Sequence, residues 1–401
     1  MTTTADALLG QIATTAQQLV STEASQLDAS LRAFGKLSRV PRPAAGGQPR
    51  RGLVTERQLV LGVISNQRTP KTREWIRSTY MGDAASLEGV LLRFVIGRQG
   101  LNQDDKKRLR SERRKYGDLE FIAASDFAQA GGIFSCIDKL FEWFPHAVRA
   151  YPGAAFYGKA DDDSLVDVPR LLRMLRPVAT LPNVYAGYVQ YDSFIRDEWK
   201  HCGWGASPVA AAHGHTAACP VGRASGPFPF VVGALTLLGG DLALWFERSS
   251  LVKDFVARGR ASQKEPKHWD CGYSDVTLGH VLAEGGRTAN LSVSLVSFRD
   301  ALRDATYGAM KAERFVAAHH LRTEAAFIEA HALSRKADDW SAKLHPCTPW
   351  HATSRLATTW DGDPQGGGEA PTKLLGAMRQ FGSCSTWHMC ELQPMPPEPP
   401  P

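Results

Sequence analysis

AAFYGKADDDSLVDV, residues 154–168, is the stretch on which the fold is decided. The apolar run from Ala154 to Gly158 predicts a buried β-strand. It ends in three consecutive carboxylates, Asp161, Asp162 and Asp163. Three like charges at a strand end repel one another and resist desolvation unless a cation sits among them. Mg²⁺ and Mn²⁺ take oxygen ligands and are commonly held by one or two carboxylates together with substrate phosphates. The stretch therefore points to a metal–diphosphate site at the mouth of an α/β sheet, with a solvated acidic turn as the alternative.

Upstream, strand and helix patterns alternate. Leu59 to Ile64 is a continuous apolar run suited to a parallel strand buried on both faces, and Pro70 follows a short turn near the start of a helix over 71–80. A strand is expected over 91–96, a charged helix over 104–116 and a strand over 119–123. Ile133, Ile137, Leu140, Phe141, Phe144 and Val148 then repeat at three- and four-residue steps, an amphipathic helix that Pro152 and Gly153 stop. Four strand–helix alternations predict a mostly parallel, doubly wound sheet flanked by helices. Ligands of such sheets sit beyond the carboxyl ends of the strands, where the aspartates fall.

Downstream, a helix over 170–176, a strand over 184–189, an apolar segment over 228–238 and a helix from 240 are expected. Residues 268–284 form a polar loop entering a helix with Asp275 near its start, and residues 308–337 look helical. The organisation expected is a low-complexity region and linker over 1–52, a folded domain over 53–340, and a Cys-, Trp- and Pro-rich tail over 341–401, disordered at least at its Pro-rich end.

Composition narrows the function. The net charge of +6, from 47 basic and 41 acidic residues, suits an anionic substrate but is far from a nucleic-acid-binding signature, and no nucleic-acid partner is expected. The basic run at 106–115 is interleaved with carboxylates and fits a solvated helix face. The seven cysteines form no CxxC pair and leave the redox compartment open. No apolar run is long enough to span a bilayer and no signal peptide is visible, which alone predicts a soluble, non-exported chain.

Other chemistries fit poorly. Gly153 to Lys159 matches the first seven positions of a phosphate-binding loop, but Ala160 lacks the hydroxyl that would hold Mg²⁺. His201, Cys202, His213, His215 and Cys219 could hold zinc, yet their spacings match no standard finger; a Cys202–Cys219 disulfide or plain loop residues are the alternatives. A phosphatase using strand-end aspartates has little support from the flanking residues.

Five blocks, in order, resemble the β-1,3-glycosyltransferases of family 31, including its Fringe branch. They are LVLGVISNQRTPKTREWIRSTY (59–80), YGDLEFIAASDF (116–127), YGKADDDSLVDVPRLLRML (157–175), SDVTLGHVL (274–282) and VAAHHL (316–321). Tyr80 stands where the family has Trp, Ser274 where it has Glu, Leu165 for Phe and Asp167 for Asn. The resemblance covers about residues 58–330 and implies a GT-A fold and transfer of a sugar from a UDP-sugar to a hydroxyl with inversion.

It further implies Asp163 as the Mn²⁺ (or Mg²⁺) ligand, with Asp161 and Asp162 serving the metal shell and the nucleotide ribose. A third protein ligand would come from the His segment, His319 being favoured over His320. Asp275 matches the general base, although an Asp at a helix start needs no catalytic role. Arg73 and Arg77 could approach the diphosphate or be exposed helix charges. Trp199 and Trp204 could stack on acceptor sugars or belong to the core.

The implied partners are a nucleotide sugar and a glycan or glycoprotein acceptor. The family's membrane association implies a Golgi location, for which this sequence shows no anchor. A catalytically inactive GT-A domain that binds carbohydrate or a partner protein is the other reading, motivated by the Tyr80 and Ser274 departures.

Overall fold

A computed structural model describes residues 57–125, 136–195, 200–202, 224–262, 274–289, 291, 293–297, 301–305, 315–336, 344–346 and 387–392. The elements that build the site lie in one compact unit, Val54–Pro401. The expected Leu59–Ile64 strand, β1, is followed by helices α1 (Pro70–Ser78) and α2 (Tyr80–Ala84). Then come β2 (Val90–Gln99), α3 (Gln103–Tyr116), β3 (Leu119–Ser125), α4 (Cys136–Ala150), β4 (Phe156–Asp161), β5 (Leu165–Val166) and α5 (Val168–Leu175). The chain continues through β6 (Val184–Ile195), β7 (Lys200–Cys202), β8 (Ala224–Gly239), α6 (Gly240–Arg248), α7 (Ser250–Ser262) and α8 (Ser274–Ala289). After these come β9 (Val293–Ser297), β10 (Leu302–Asp304), β11 (Ala317–His319), α9 (Glu324–Ser334), β12 (Leu344–Pro346) and β13 (Trp387–Leu392).

The main sheet has the order β12-β13-β9-β6-β8-β4-β1-β2-β3, with β7 paired to β6. Strands β3, β2, β1 and β4 run parallel, as the alternation predicts. Strand β8 is antiparallel to both of its neighbours, β4 and β6. The α/β expectation of a mostly parallel sheet flanked by helices is met, with antiparallel pairings at β8, between β6 and β7, and between β9 and β13.

Side chains of successive strand residues point to opposite faces, and β1 shows the consequence. Leu59, Leu61 and Val63 join one core with Ile76 of α1, Leu109 of α3, Leu171 of α5 and Phe327 of α9. Val60 and Ile64 join a second core with Phe141 and Trp143 of α4, Phe246 of α6, Phe255 of α7 and Leu278 of α8. Both faces of the sheet are covered, hence the unbroken apolar run.

The strand order reverses between β1 and β4: the chain runs outward through β2 and β3, then returns to the other side of β1. A crevice opens beyond the carboxyl ends at such a reversal. Register pairs Ile64 with Asp161, so the turn after β1 and the aspartates face each other across it.

Residues 308–337, expected to be helical, instead contain β11 and the shorter helix α9. Strand β11 joins a small second sheet of order β10-β11-β5. Arg170, on α5, is buried and donates from Nη1 to the Phe315 carbonyl at 2.6 Å and from Nη2 to the Ser334 carbonyl at 3.0 Å. That guanidinium ties both ends of the β11–α9 segment to the helix that follows the aspartates. The expected tail region contributes β12 and β13 to the sheet edge, with β13 antiparallel to β9.

Helix α8 lies against β8 at a contact that leaves no room for a side chain at Gly279. A Cβ there would stand 2.5 Å from Phe230 Cβ and 2.7 Å from the Pro229 carbonyl oxygen. This approach brings Asp275, one turn earlier on α8, to β8. Gly279→Ala is expected to destabilise the protein by about 1–3 kcal/mol, the usual cost of overpacking, measured by urea denaturation; no change in midpoint would mean that the helix can slide freely on the strand.

Candidate functional site

Each of the three carboxylates has its own partner. Asp161 and Lys159 are two apart on β4 and share a face, and Lys159 Nζ meets Asp161 Oδ1 at 2.7 Å. Asp162 Oδ2 accepts from Thr69 Oγ1 at 2.8 Å, in the turn after β1. Asp163 Oδ1 lies 3.2 Å from His319 Nε2, which is also 3.7 Å from Asp161 Oδ2. The like charges are thus divided among a lysine, a hydroxyl turn and an imidazole.

The histidines come from the end of β11. Adjacent strand residues would point to opposite sides, but His320 has φ +61°, in the left-handed region. The turn folds its ring back onto that of His319, with centroids 3.8 Å apart. Two backbone bonds bind this segment to the aspartate turn: Leu321 N–H donates to the Asp163 carbonyl at 2.8 Å, and Asp167 N–H to the Val316 carbonyl at 2.8 Å. Asp167 also caps α5, accepting from Arg170 N–H at 2.9 Å.

Asp163, His319 and His320 offer one ligand atom each, all within 4.8 Å of one another. An oxygen and two imidazole nitrogens, with the Asp161 carboxylate adjacent, suit a first-row divalent cation such as Mn²⁺. Among the described residues this is the group of three or more that could hold a metal. The site lines a cavity of about 400 Å³ that also takes in Ser65, Asn66, Lys139, Gly233, Ser274 and Asp275.

Asp275 is fixed by two backbone amides, accepting from Val276 N–H at 2.9 Å and from Gly233 N–H at 3.1 Å. Burial pushes its pKa up, as does the charge of Asp161, while Lys159 opposes the shift. On β1's side of the cavity the turn is rigid. Arg68 N–H donates to Asn66 Oδ1 at 2.8 Å, and the buried Lys139 of α4 donates to the Ser65 carbonyl at 2.8 Å.

The structure brings together Asp161, Asp162, Asp163, Asp275, His319 and His320, but not the two arginines. Arg73 is buried, and its guanidinium forms two bonds to Glu112 at 2.8 and 2.6 Å. Its remaining nitrogen donates to Ser65 Oγ at 3.1 Å and to the Asn66 carbonyl at 2.5 Å. Arg77 bonds Asp118 at 2.7 Å and Glu112 at 2.7 Å, and its guanidinium carbon lies 3.9 Å from the centre of the Tyr116 ring. Both are occupied by ion pairs and stand outside the cavity lining; Arg73 shapes the β1 turn from behind. Trp199, Trp204 and the side chains of the His- and Cys-rich segment lie outside the described residues.

Sequence reasoning assigned no role to Lys159, Thr69, Lys139 or Gly233. For Lys159 a signal existed, since a cation two positions before Asp161 on one strand shares its face. Tyr80, at the family's Trp position, is a core residue whose pKa burial pushes up.

The acidic turn has a distinct pH signature. Burial raises Asp162 to about 6, against the bonds from Thr69 and Ser65. A carboxyl with a raised folded pKa binds its proton more tightly when folded, so its stabilising effect is present at low pH and lost as pH rises through about 6. Asp163 behaves oppositely: burial would raise it, but the His319 bond holds it below the usual range. Its contribution is present at neutral pH and lost as pH falls through the folded value.

In metal-free protein, Asp162→Asn should therefore gain stability relative to wild type as pH rises from 4 to 7, read by urea denaturation. A constant difference across that range would contradict the assignment. By the same assay Arg73→Ala, which leaves Glu112 to its bond from Arg77, should cost about 1.5–3 kcal/mol.

The chain is similar to known proteins over part of its length. Residues 71–216 match the model of the Galactosyltransferase family. The chain is 31% identical over 165 residues to a hydroxyproline O-galactosyltransferase, HPGT1, of Arabidopsis thaliana, covering 39% of this chain and 46% of that protein. It is 29% identical over 136 residues to the probable beta-1,3-galactosyltransferase 1 of the same plant, covering 32% and 34%. The chain thus spans less than half the length of the curated relatives it matches.

Among solved structures it is similar to the galactosyltransferase LgtC, with TM-score 0.36 and 12% identity over 70% of this chain and 97% of that one. It is also similar to mouse xyloside xylosyltransferase 1, with TM-score 0.32 and 12% identity over 66% and 96%. No helix among the described residues is long and apolar enough to cross a membrane. The matched span lies within the α/β domain described above and is similar to the Galactosyltransferase family and to plant galactosyltransferases.

Proposed function

We propose that the protein is a metal-dependent, inverting hexosyltransferase that moves a sugar from a UDP-sugar to a hydroxyl of a glycan or glycoprotein, forming a β-1,3 linkage. The observation behind this reading is the convergence of Asp163, His319 and His320 within 4.8 Å of one another, with Asp275 lining the same cavity. The plant relatives, one named as a hydroxyproline O-galactosyltransferase and one as a probable beta-1,3-galactosyltransferase, favour galactose as the sugar. A Golgi location belongs to the same reading.

Asp163, His319 and His320 would hold the cation, with Asp161 beside them. When bound, a divalent ion supplies Lewis-acid stabilisation of the charge that gathers on a departing diphosphate. Asp162 and the Ser65–Thr69 turn would receive the nucleotide at the strand reversal, the usual place for one.

Inversion is a single displacement and needs one base. The acceptor oxygen bonds to the anomeric carbon as the bond from that carbon to the β-phosphate oxygen breaks. The departing UDP keeps the bonding electron pair, and the acceptor proton passes to an Asp275 carboxylate oxygen. A carboxylate whose pKa is raised by its surroundings is a better proton acceptor near neutrality than an ordinary one. Two backbone amides hold it in place without neutralising it.

Calorimetric titration with UDP, with and without Mn²⁺, tests the donor site. Wild type should bind UDP only with the metal, and Asp163→Ala should abolish that binding. Asp275→Asn should retain it while turnover falls about 10²–10⁴-fold. Absence of UDP binding by the folded wild type would sink the transferase reading and favour a binding module or a phosphatase.

A further inference from the structure

Lys159 is buried within a cluster of acids, and what it bonds links the two halves of the site. Its side chain is 4% exposed, and Nζ lies 2.7 Å from Asp161 Oδ1. The same ammonium donates to the carbonyl oxygen of Gly233, on β8. The Gly233 N–H in turn donates to Asp275 Oδ2 at 3.1 Å. One residue of β8 thus faces Lys159 through its carbonyl and Asp275 through its amide, giving a path from Asp161 to Asp275 made of hydrogen bonds joined through the Gly233 backbone.

The path leaves little room for a side chain at Gly233. A Cβ at Gly233 would stand 3.1 Å from Asp161 Oδ2, 3.1 Å from Lys159 Nζ and 3.8 Å from Asp275 Oδ2, inside the space the three charged groups surround. The first two distances are tighter than ordinary contact, so a methyl group would push the lysine and the aspartate apart. Strand alternation puts Lys159 and Asp161 on one face of β4, and the antiparallel β4–β8 pairing places β8 beside them.

An ammonium has three donors on one compact head, which lets it hold two acceptors on different strands at once. A cation at this point offsets the repulsion among the carboxylates that surround it. Removing the charge alone would leave Asp161 and Asp275 facing each other without the ammonium that offsets them.

We propose that Lys159 is a positioning residue that, through the backbone of Gly233, fixes Asp275 relative to the aspartate turn. This rests on the transferase reading, in which the aspartate turn serves the donor and Asp275 the acceptor proton. Lys159 touches neither reacting atom and acts on the alignment of the base. Misplacement of a catalytic group by about 1 Å costs on the order of 10²-fold in rate.

Two measurements on the full chain test it. The first is a double-mutant cycle of Lys159→Met and Asp275→Asn, read as folded-to-unfolded ratios in metal-free protein. The double variant should depart from the product of the singles by about fivefold or more, and Gly233→Ala should reduce that coupling. Independence within about a factor of two overturns the proposal whatever the activity.

The second is UDP release from UDP-galactose with Mn²⁺, with water in the acceptor's place and galactose as the other product. Lys159→Met should lower kcat on the order of 100-fold with KM for the donor within about threefold. Gly233→Ala keeps every charge and should show the same split, so the test survives if Lys159→Met does not fold. A rise in KM that accounts for the loss, or an unchanged kcat in either variant, overturns the proposal. Persistent coupling in a wild type that neither binds UDP nor turns over UDP-galactose overturns the transferase reading, and the positioning role in catalysis falls with it.

Discussion

Everything at the carboxyl end of the sheet depends on how three adjacent negative charges are kept apart from one another. Consecutive carboxylates can be gathered in one turn only if their partners differ in kind and direction. Here Asp161 turns to an ammonium on its own strand, Asp162 to a hydroxyl from the neighbouring turn, and Asp163 to an imidazole from a distant segment. Each partner belongs to a different structural element, so the turn is the junction at which β1, β4 and β11 are registered against each other. In the proposed reading, a donor diphosphate with its cation would enter a site where the negative charge is already oriented.

The parallel half of the sheet makes this possible. Because β1 is buried on both faces, the chain that leaves it must emerge at its end, and the reversal of strand order places the Ser65–Thr69 turn opposite the aspartates. Arg73 holds that turn from behind through Glu112, Ser65 and Asn66. This ion pair is a device for making a loop rigid: it joins α1 to α3 and leaves the Thr69 hydroxyl free to face the acid turn.

Much of this was legible in the amino-acid sequence, and the exceptions have physical reasons. Strands β1 to β4 and their helices show because both faces of a parallel sheet are apolar and the connecting helices are amphipathic. The acid turn shows because three charges at a strand end cannot be a core. The antiparallel direction of β8 does not show, since an apolar run carries no record of which way it pairs. Residues 316–319 read as helix because Val-Ala-Ala-His suits either state, and a three-residue strand has no period to recognise. Arg73 and Arg77 sit 39 and 35 positions from Glu112, and nothing local distinguishes an arginine bound for a carboxylate from one bound for a phosphate. Asp275 was recognisable from the block it occupies, but the two amides that hold it were not.

The segment that supplies His319 and His320 enters the chain roughly 160 residues after the aspartates it serves. At about 5–20 residues per second, synthesis would leave the acid turn waiting on the order of 10–30 s for its imidazole partners. Lys159 leaves the ribosome just ahead of Asp161, so the nascent strand carries a counter-ion of its own during that interval. The matched family span, residues 71–216, holds the acids and that lysine but neither histidine. A chain arrested at that length would hold the acids of the candidate metal site without its histidines, with their charge already partly offset from within.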